Sequence, residues 1–195
     1  MERPAIYTVG YGNRSFTEFA DLLKRFRLEY LVDVRTSPYS SRFPAFSQSE
    51  LAPALSGESI RYVFMGDQLG GRPSDPECYI EGRVNYQVLE LRSFFQQGIS
   101  RLLRALSLDI NPAIMCSEKR PEDCHRSKLI GYDLARRGVE VLHIDEAGLV
   151  KTQEQIMSRL GGNQPLLFAD ETPSWRMSRA VIKKCANHNE SIDGD

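Results

Sequence analysis

The chain contains 195 residues, of which 41% are hydrophobic, and this is enough to bury the core of one compact domain. The formal net charge is -1, so the total charge does not favour nucleic acid, and any anion has to be bound by a local group of basic residues. No apolar run approaches the roughly 20 residues that cross a bilayer, and the first residues lack the layout of a signal peptide. We therefore expect a cytoplasmic protein with no membrane partner, whose oligomeric state the sequence leaves open.

Four cysteines are spread along the chain, namely Cys78, Cys116, Cys124 and Cys185. Their spacing is not typical of the disulfide framework of a secreted domain. In a reducing compartment they are expected to be thiols or metal ligands, so reactivity, metal binding or packing has to explain them.

Strands and helices alternate in the first half of the chain. The predicted elements are strands over residues 5–9, 30–34 and 61–65, and helices from residue 15 and over about 47–55. Ser15 and Glu18 form a capping box, which predicts the start of the first helix. The loop over residues 36–44 is polar and broken by prolines, and it is long enough to cover a site. Residues 66–73 are predicted as another turn-rich segment.

The second half continues this alternation. The predicted elements are helices over about residues 88–106, 121–137 and 152–160, and strands over 113–116 and 140–144. Gln97 and Gly98 are expected to interrupt the first of these helices, and residues 74–83 before it are predicted to be irregular. Pro121 fits the first turn of the second helix and Gly138 fits its end, so Cys124, His125 and Arg126 are expected near its free N–H groups.

The alternation predicts an α/β fold, a three-layer sandwich with a mostly parallel, Rossmann-like sheet of about five strands. We predict a single α/β domain over residues 1–148, followed by a C-terminal helix and a partly ordered tail over residues 149–195. The predicted strand order is 3-2-1-4-5. Ligands of such folds bind beyond the carboxyl ends of the strands where the winding reverses, so residues 11–14 and 116–126 are expected to meet there, beside Arg35.

Three separated motifs follow the predicted strands. They are TVGYGNRS at residues 8–15, DVR at residues 33–35 and CSEKRPEDCHR at residues 116–126. In this order they resemble the bacterial and archaeal family called domain of unknown function 488, from about Ile6 to Ile144. The family pattern falls on Gly10, Tyr11, Asp33, Arg35, Cys116, Glu118, Cys124, His125 and Arg126. The resemblance implies an α/β fold and brings no established activity.

Gly10 and Gly12 follow a strand and precede a helix, as in a dinucleotide-binding loop, and Asp33 lies at about the distance of a ribose-binding acid. Ser15 stands where the third glycine is expected, and Arg35 close to Asp33 favours phosphate or carboxylate over a bare ribose. A tight turn alone would also explain the two glycines. A nicotinamide cofactor is therefore disfavoured, and the cofactor is unknown.

Cys116, Glu118 and His125 are the candidate catalytic residues. A thiol near a helix N-terminus, a histidine and basic side chains is shifted towards the nucleophilic thiolate, and Glu118 or His125 could then move protons. The phosphatase spacing of Cys, five residues and Arg is absent, because Glu122 stands at the required position, so a phosphocysteine mechanism is disfavoured. The alternative is that Cys116 is only a small buried residue at a strand end.

Tyr11, Arg14, Arg35 and Arg126 are the candidate residues for binding an anion. Guanidinium groups bind phosphate or carboxylate in a forked geometry, and a helix N-terminus adds further donors. The alternative is that these arginines are solvated and form ordinary ion pairs. The expected partner is a small anionic ligand, and nucleic acid is a second option.

Three functions remain open at this point. The leading hypothesis is a cysteine-dependent hydrolase or transferase that acts on a phosphorylated or nucleotide-like small molecule. The second is a nucleic-acid-associated binding or repair module that uses the same arginines and the loop over residues 39–46. The third is a metal-binding protein that uses Cys116, Cys124 and His125 with Glu118 as fourth ligand, although adjacent residues point about 100° apart on a helix.

Overall fold

The computed structural model describes residues 5–161 and 174–178 of the chain. The strands within these residues are β1 (Ala5–Gly10), β2 (Tyr30–Asp33), β3 (Arg61–Phe64), β4 (Tyr79–Ile80), β5 (Arg83–Val84), β6 (Pro112–Cys116), β7 (Glu140–Ile144) and β8 (Val150–Thr152). Six of these described strands form one sheet in the order β3-β2-β6-β1-β7-β8, and β4 and β5 pair in a separate hairpin. The sheet is parallel except for β8, which pairs antiparallel with β7.

The α-helices of the described residues are α1 (Phe16–Arg25), α2 (Gln48–Gly57), α3 (Gly66–Leu69), α4 (Tyr86–Leu89), α5 (Ser93–Ser107), α6 (Tyr132–Arg136) and α7 (Gln153–Arg159). None of these described helices has the length and apolar character that a membrane span requires. The predicted capping box is present at the start of α1, where Glu18 accepts from the Ser15 N–H at 2.7 Å and the Ser15 hydroxyl accepts from the Glu18 N–H at 3.2 Å. Local side-chain chemistry therefore places the beginning of this helix.

Helices cover both faces of the sheet, which confirms the predicted three-layer α/β fold. On one face, Phe19 and Leu23 of α1 and Leu51 of α2 pack in a cluster with Val9 and Leu31 of the strands. On the other face, α4, α5 and α6 contribute a second cluster around Ile6, Val32 and Ile114. The sheet has six strands within the described residues rather than about five, because the short antiparallel β8 has no periodic pattern of its own.

The predicted strand order is wrong at the centre of the sheet. β6 pairs with both β2 and β1, so it separates two strands that we predicted to be neighbours. Local sequence patterns do not encode which strands pair over long distances, and this is why the order could not be derived from them. The observed order has a direct consequence: the end of β6, at Cys116, lies between the strand that leads to Tyr11 and the strand that leads to Arg35.

The predicted helix over residues 121–137 is also corrected. Pro121–Asp123 forms a single 3-10 turn, Cys124 is extended with φ -120° and ψ 149°, and a π-helical segment over Arg126–Gly131 leads into α6. The Ser127 hydroxyl donates to the Pro121 carbonyl at 2.5 Å, which holds the tight entry to this segment. Only the end is as predicted, because Gly138 follows α6 with a φ of 79°. Thus Cys124 does not lie in the first turn of a helix.

Gln97 and Gly98 do not interrupt α5. A Cβ atom on Gly98 would lie 2.7 Å from Leu69 Cδ2, so glycine allows α3 to pack closely against α5. The break falls instead between α4 and α5. The segment over residues 74–83, predicted as irregular, contains a 3-10 turn at Pro76–Cys78 and β4, and the predicted turn-rich residues 66–73 contain α3.

The C-terminal part packs on the sheet in two places. The predicted helix over about residues 152–160 is present as α7, and β8 extends the sheet beyond the predicted domain boundary at residue 148. Residues 174–178 lie against the domain, where the buried Arg176 donates to the Lys128 carbonyl at 2.9 Å and the Ser178 hydroxyl accepts from the Val84 N–H at 2.9 Å. The rest of the predicted tail, with Cys185, lies outside the described residues.

Candidate functional site

A cavity of about 370 Å³ opens at the carboxyl ends of β1, β2 and β6. The residues that line it come from the loops after these strands, from two more distant segments and from the C-terminal part. They are Tyr11, Arg35, Thr36, Ser37, Tyr39, Gly71, Arg72, Tyr86, Cys116, Ser117, Glu118, Asp123, His125 and Ser178. The candidate catalytic residues that we predicted from the sequence are therefore together at one cavity.

Cys116 is the last residue of the buried strand β6, and it is only 3% exposed. The thiol lies 2.8 Å from Glu118 Oε2, to which it donates, and 3.7 Å from His125 Nδ1. Because Cys116 also lines the cavity, its sulfur is not sealed among aliphatic side chains. A small molecule in the cavity could therefore reach it.

His125 is held by a backbone carbonyl. Its Nε2 lies 3.1 Å from the oxygen of Val34, the residue that follows β2, so this nitrogen carries the hydrogen and donates it. Nδ1 is then directed towards the thiols of Cys116 and Cys124, at 3.7 Å from each sulfur. The contact with Val34 fixes the ring in the orientation that a proton-transfer group requires.

Cys124 belongs to the same cluster, although sequence reasoning gave it no catalytic role. Its thiol donates to Glu118 Oε2 at 3.2 Å, the oxygen that also accepts from Cys116. Its sulfur accepts from the Arg126 N–H at 3.4 Å. The divergence by about 100° that we expected between Cys124 and His125 does not occur, because Cys124 has an extended backbone rather than a helical one.

The four groups shift one another's pKa values. A hydrogen bond from Cys124 and the charge of His125 hold the pKa of Cys116 well below its usual range, although burial opposes this shift. Burial and the neighbouring Cys116 raise the pKa of Cys124, and the same two causes raise the pKa of Glu118. Burial alone would lower the pKa of His125, but the charges of Cys116 and Glu118 raise it. The lower pKa of the two thiols therefore belongs to Cys116 and the higher one to Cys124.

Arg35 provides a positive charge at the cavity. Its guanidinium is 5% exposed and is paired with the fully buried Asp33, with Nη2 2.5 Å from Oδ2, and Tyr62 donates to the same oxygen at 2.7 Å. The Arg35 Cζ lies 5.3 Å from the centre of the Tyr11 ring. Within the described residues Nη1 of Arg35 has no hydrogen-bond partner. One nitrogen of this buried arginine is therefore unpaired among the described residues.

Arg14 and Arg126 do not line the cavity. Arg126 is fully buried and donates to the carbonyls of Glu118 at 2.5 Å and Lys119 at 3.2 Å. Arg14 donates to the carbonyls of Gly10 at 2.5 Å and of Asp145 at 2.9 Å. Both guanidinium groups therefore hold backbone loops together, and direct anion binding by either of them stays a prediction without a supporting contact.

Gly10 allows the loop after β6 to approach the end of β1. A Cβ atom at this position would lie 1.8 Å from the Glu118 carbonyl oxygen, so no other residue fits without a shift of the backbone. This explains the first glycine of the predicted dinucleotide-like turn by close packing of the site loop.

Ser178 is the cavity residue for which the sequence offers no signal. It reaches the cavity because residues 174–178 fold back over β5, where Arg83 donates to the Ser178 carbonyl at 2.7 Å.

The loop over residues 39–46 is only partly available to a ligand. Tyr39 is 70% exposed, whereas Phe46 is buried and stacks on Tyr11 at 4.3 Å. The Phe46 ring is thus occupied within the protein rather than free to stack on a base.

Fold and site together define a three-layer α/β protein in which two buried cysteines and a buried histidine cluster with a glutamate at the carboxyl edge of the sheet. The family model described as "Domain of unknown function DUF488" matches residues 15–132, more than half of the chain. The chain belongs to this family, as its three motifs predicted. Neither the curated proteins nor the solved structures contain a match to it. The description of this family carries no activity.

Proposed function

We propose that the protein is a cysteine-dependent enzyme in which the Cys116 thiolate attacks a small anionic molecule bound beside Arg35. The observation that carries this proposal is the position of the Cys116 sulfur, at the cavity and in contact with Glu118 and His125. A nucleophile next to a base that a third group orients is the general arrangement of covalent catalysis. Here the Val34 carbonyl orients His125.

The two proton-transfer groups have different roles in this proposal. His125 carries a proton on Nδ1. In this form it stabilises the Cys116 thiolate and then donates the proton to the leaving group. Glu118, close to both sulfurs, takes up a proton from whichever thiol ionises. The pKa values of both groups are raised above their ordinary values, so each of them holds a proton more readily than the free side chain does.

The substrate class follows from the charges at the cavity. Nη1 of Arg35 has no partner among the described residues and Arg72 also lines the cavity, while Tyr39 presents an exposed aromatic ring beside them. This set favours an anionic molecule with a planar group, of the phosphorylated or nucleotide-like kind, and a hydrolase or transferase reaction.

Alkylation and ligand binding test the proposal. Wild-type protein and the variants Cys116→Ser and Arg35→Lys are reacted with iodoacetamide and screened for thermal stabilisation by inorganic phosphate and nucleoside monophosphates. We expect rapid alkylation of Cys116, and stabilisation that Arg35→Lys weakens because lysine has a single nitrogen and cannot pair with Asp33 while a second nitrogen contacts the ligand. Arg61→Lys is the matched control, since Arg61 is exposed and stacks on Tyr30. An unreactive Cys116 together with no stabilising anion would contradict the proposal.

Metal binding is a second candidate. The Sγ atoms of Cys116 and Cys124 and one ring nitrogen of His125 lie within 4.8 Å of one another, and Glu118 contacts both sulfurs. Two thiolates, an imidazole and a carboxylate are a donor set that Zn²⁺ accepts. Metal analysis of protein purified without chelators tests it, and less than about a tenth of an equivalent would rule out a tight site.

A further inference from the structure

We infer that Cys124 is the second reacting thiol of this site and that the site has a further activity, the reduction of a low-molecular-weight disulfide. Cys116 attacks the disulfide and Cys124 then resolves the mixed disulfide. The inference rests on the proposed role of Cys116 as nucleophile, and it adds a partner thiol and a second substrate besides the phosphorylated or nucleotide-like molecule proposed above.

The positions of the two sulfurs give the order of the steps. They lie within 4.8 Å of each other and share Glu118 Oε2 as acceptor. Cys116 lines the cavity, whereas Cys124 is 2% exposed and is not among the lining residues. A sulfur that enters the cavity therefore meets Cys116 first, and Cys124 can react only with a group already bound to Cys116.

Two neighbours prepare Cys124 for this second step. Glu118 Oε2, at 3.2 Å, can accept the proton of the thiol. The Arg126 N–H, at 3.4 Å from Sγ, donates to the sulfur and stabilises the thiolate that results. A disulfide bond of about 2.05 Å then requires the two sulfurs to move about 3 Å closer.

The first step is attack of the Cys116 thiolate on one sulfur of the substrate. The Cys116–sulfur bond forms, the substrate disulfide breaks, and the leaving thiolate takes the proton from His125 Nδ1. In the second step, Cys124 gives its proton to Glu118 and attacks the Cys116 sulfur. The internal disulfide forms, the second substrate thiolate leaves and takes the proton from Glu118. The two cysteines lose two electrons to the substrate, which is reduced to two thiols.

Two arginines of the cavity narrow the disulfide substrate. Arg35, which is paired with Asp33, and the exposed Arg72 line the cavity together with Glu118 and Asp123, and Nη1 of Arg35 has no hydrogen-bond partner among the described residues. A disulfide that carries carboxylate groups, such as oxidised glutathione, can accept from these guanidinium groups, whereas uncharged hydroxyethyl disulfide forms no charged contact with them. We expect the carboxylated disulfide to react at least about tenfold faster per thiolate, because contacts of a carboxylate with Nη1 of Arg35 and with Arg72 orient it.

The experiment compares wild type with Cys124→Ser, Cys116→Ser and the control Cys78→Ser. Cys78 is buried, and it lies in the segment that leads to β4, outside the cavity. Reduced protein is treated with oxidised glutathione or hydroxyethyl disulfide, quenched by alkylation, and read by intact mass and peptide mapping. Wild type and Cys78→Ser should become lighter by two hydrogen atoms, with Cys116 joined to Cys124. Cys124→Ser should instead accumulate roughly tenfold more mixed disulfide at Cys116, and Cys116→Ser should not react.

The outcomes separate the inference from the proposal beneath it. Wild type that keeps a stable mixed disulfide at Cys116, with Cys124 still open to alkylation after unfolding, overturns the inference and leaves Cys116 as a nucleophile. A Cys116 that reacts neither with disulfide nor with iodoacetamide overturns the proposed function as well. A metal ion bound by both sulfurs in the purified protein also overturns the inference, since it occupies both thiolates. The wild-type result decides the matter even where a variant fails to fold.

Discussion

Two buried histidines of this protein lie in different surroundings. His125, at the cavity, faces the sulfurs of Cys116 and Cys124 and donates to a backbone carbonyl. His143 on β7 is fully buried between neutral groups, with Nδ1 2.7 Å from the Thr8 hydroxyl and Nε2 2.6 Å from Gln153 Oε1. Burial opposes protonation of both rings. It lowers the pKa of His143 to about 3, whereas at His125 the charged neighbours outweigh burial and raise the pKa above its ordinary value.

The comparison shows that the charge of the neighbouring groups, more than burial, decides whether the pKa of a buried histidine is raised or lowered. Thr8 and Gln153 offer dipoles only, so His143 stays neutral and ties β1 and β7 to α7. Through Gln153, which donates to the Ser127 carbonyl at 3.0 Å, the same network reaches the π-helical segment that follows His125. The hydrogen bonds of His143 and Gln153 thus support the segment that follows His125.

The largest expected effect is the pH dependence of Cys116 alkylation. Since the pKa of Cys116 is held well below its usual range, we expect its labelling rate to fall much less between pH 9 and pH 6.5 than the rate of an ordinary thiol. An ordinary thiol with a pKa near 8.5 loses about 100-fold in thiolate over this interval. Site-resolved mass spectrometry measures the rate, with a small cysteine peptide as control. If Cys116 and the peptide had equal pH profiles, the pKa of Cys116 would be ordinary. The charged surroundings of His125 would then have no measurable effect on the thiol.

The second effect concerns stability and His143. Its pKa is lowered from about 6.5 unfolded to about 3 folded, so the unfolded chain binds the extra proton and stability falls as pH drops from 6.5 towards 3. Between pH 7 and pH 5 we expect this group to cost about 2 kcal/mol of the free energy of unfolding. Denaturant titrations of wild type and His143→Gln at both pH values measure it. The loss of free energy of unfolding between pH 7 and pH 5 should be smaller in the variant, and an unchanged loss would show that His143 is not neutral in the fold.

His125 affects stability in the opposite direction. Because its pKa is raised in the fold, its contribution to the free energy of unfolding is present at low pH and is lost as pH rises through the folded pKa.

The third effect is expected in His125→Asn. Asparagine carries no charge and is too short to reach the Val34 carbonyl as Nε2 does, so the charge beside Cys116 is lost and the pKa of Cys116 should rise. We expect its alkylation at pH 6.5 to slow by about tenfold, which corresponds to one pKa unit. His143→Gln is the matched control and should leave the alkylation rate close to that of wild type. A His125→Asn rate equal to wild type at every pH would assign the low pKa to Cys124 alone.

The smallest effect is expected in Thr8→Val, which removes the hydroxyl that donates to His143 Nδ1 and keeps the shape of the side chain. The loss of one buried hydrogen bond should reduce the free energy of unfolding by about 1 kcal/mol. Urea unfolding at pH 7 measures the loss, and Thr17→Val on α1 is a surface control for the substitution itself. If the Thr8 variant also slowed Cys116 alkylation, the two networks would be coupled more tightly than their contacts indicate.

The sequence by itself determined the local elements and the family. The Ser15–Glu18 capping box, the alternation of apolar runs with amphipathic helices and the glycine after α6 all act over a few residues, and short-range chemistry of this kind is readable in one chain. The motif around Cys116 likewise predicted three residues that lie together at the cavity, Cys116, Glu118 and His125.

The tertiary structure alone decided how the parts of the site meet. The position of β6 between β2 and β1, which brings Cys116 between Arg35 and Tyr11, depends on strand pairs that lie far apart in sequence. The extended backbone at Cys124, which brings its sulfur to Glu118, depends on contacts of neighbouring loops that no periodic pattern describes. Ser178 reaches the cavity only because the chain folds back over β5. In each case the deciding energy comes from long-range packing and hydrogen bonding, which a local pattern does not contain.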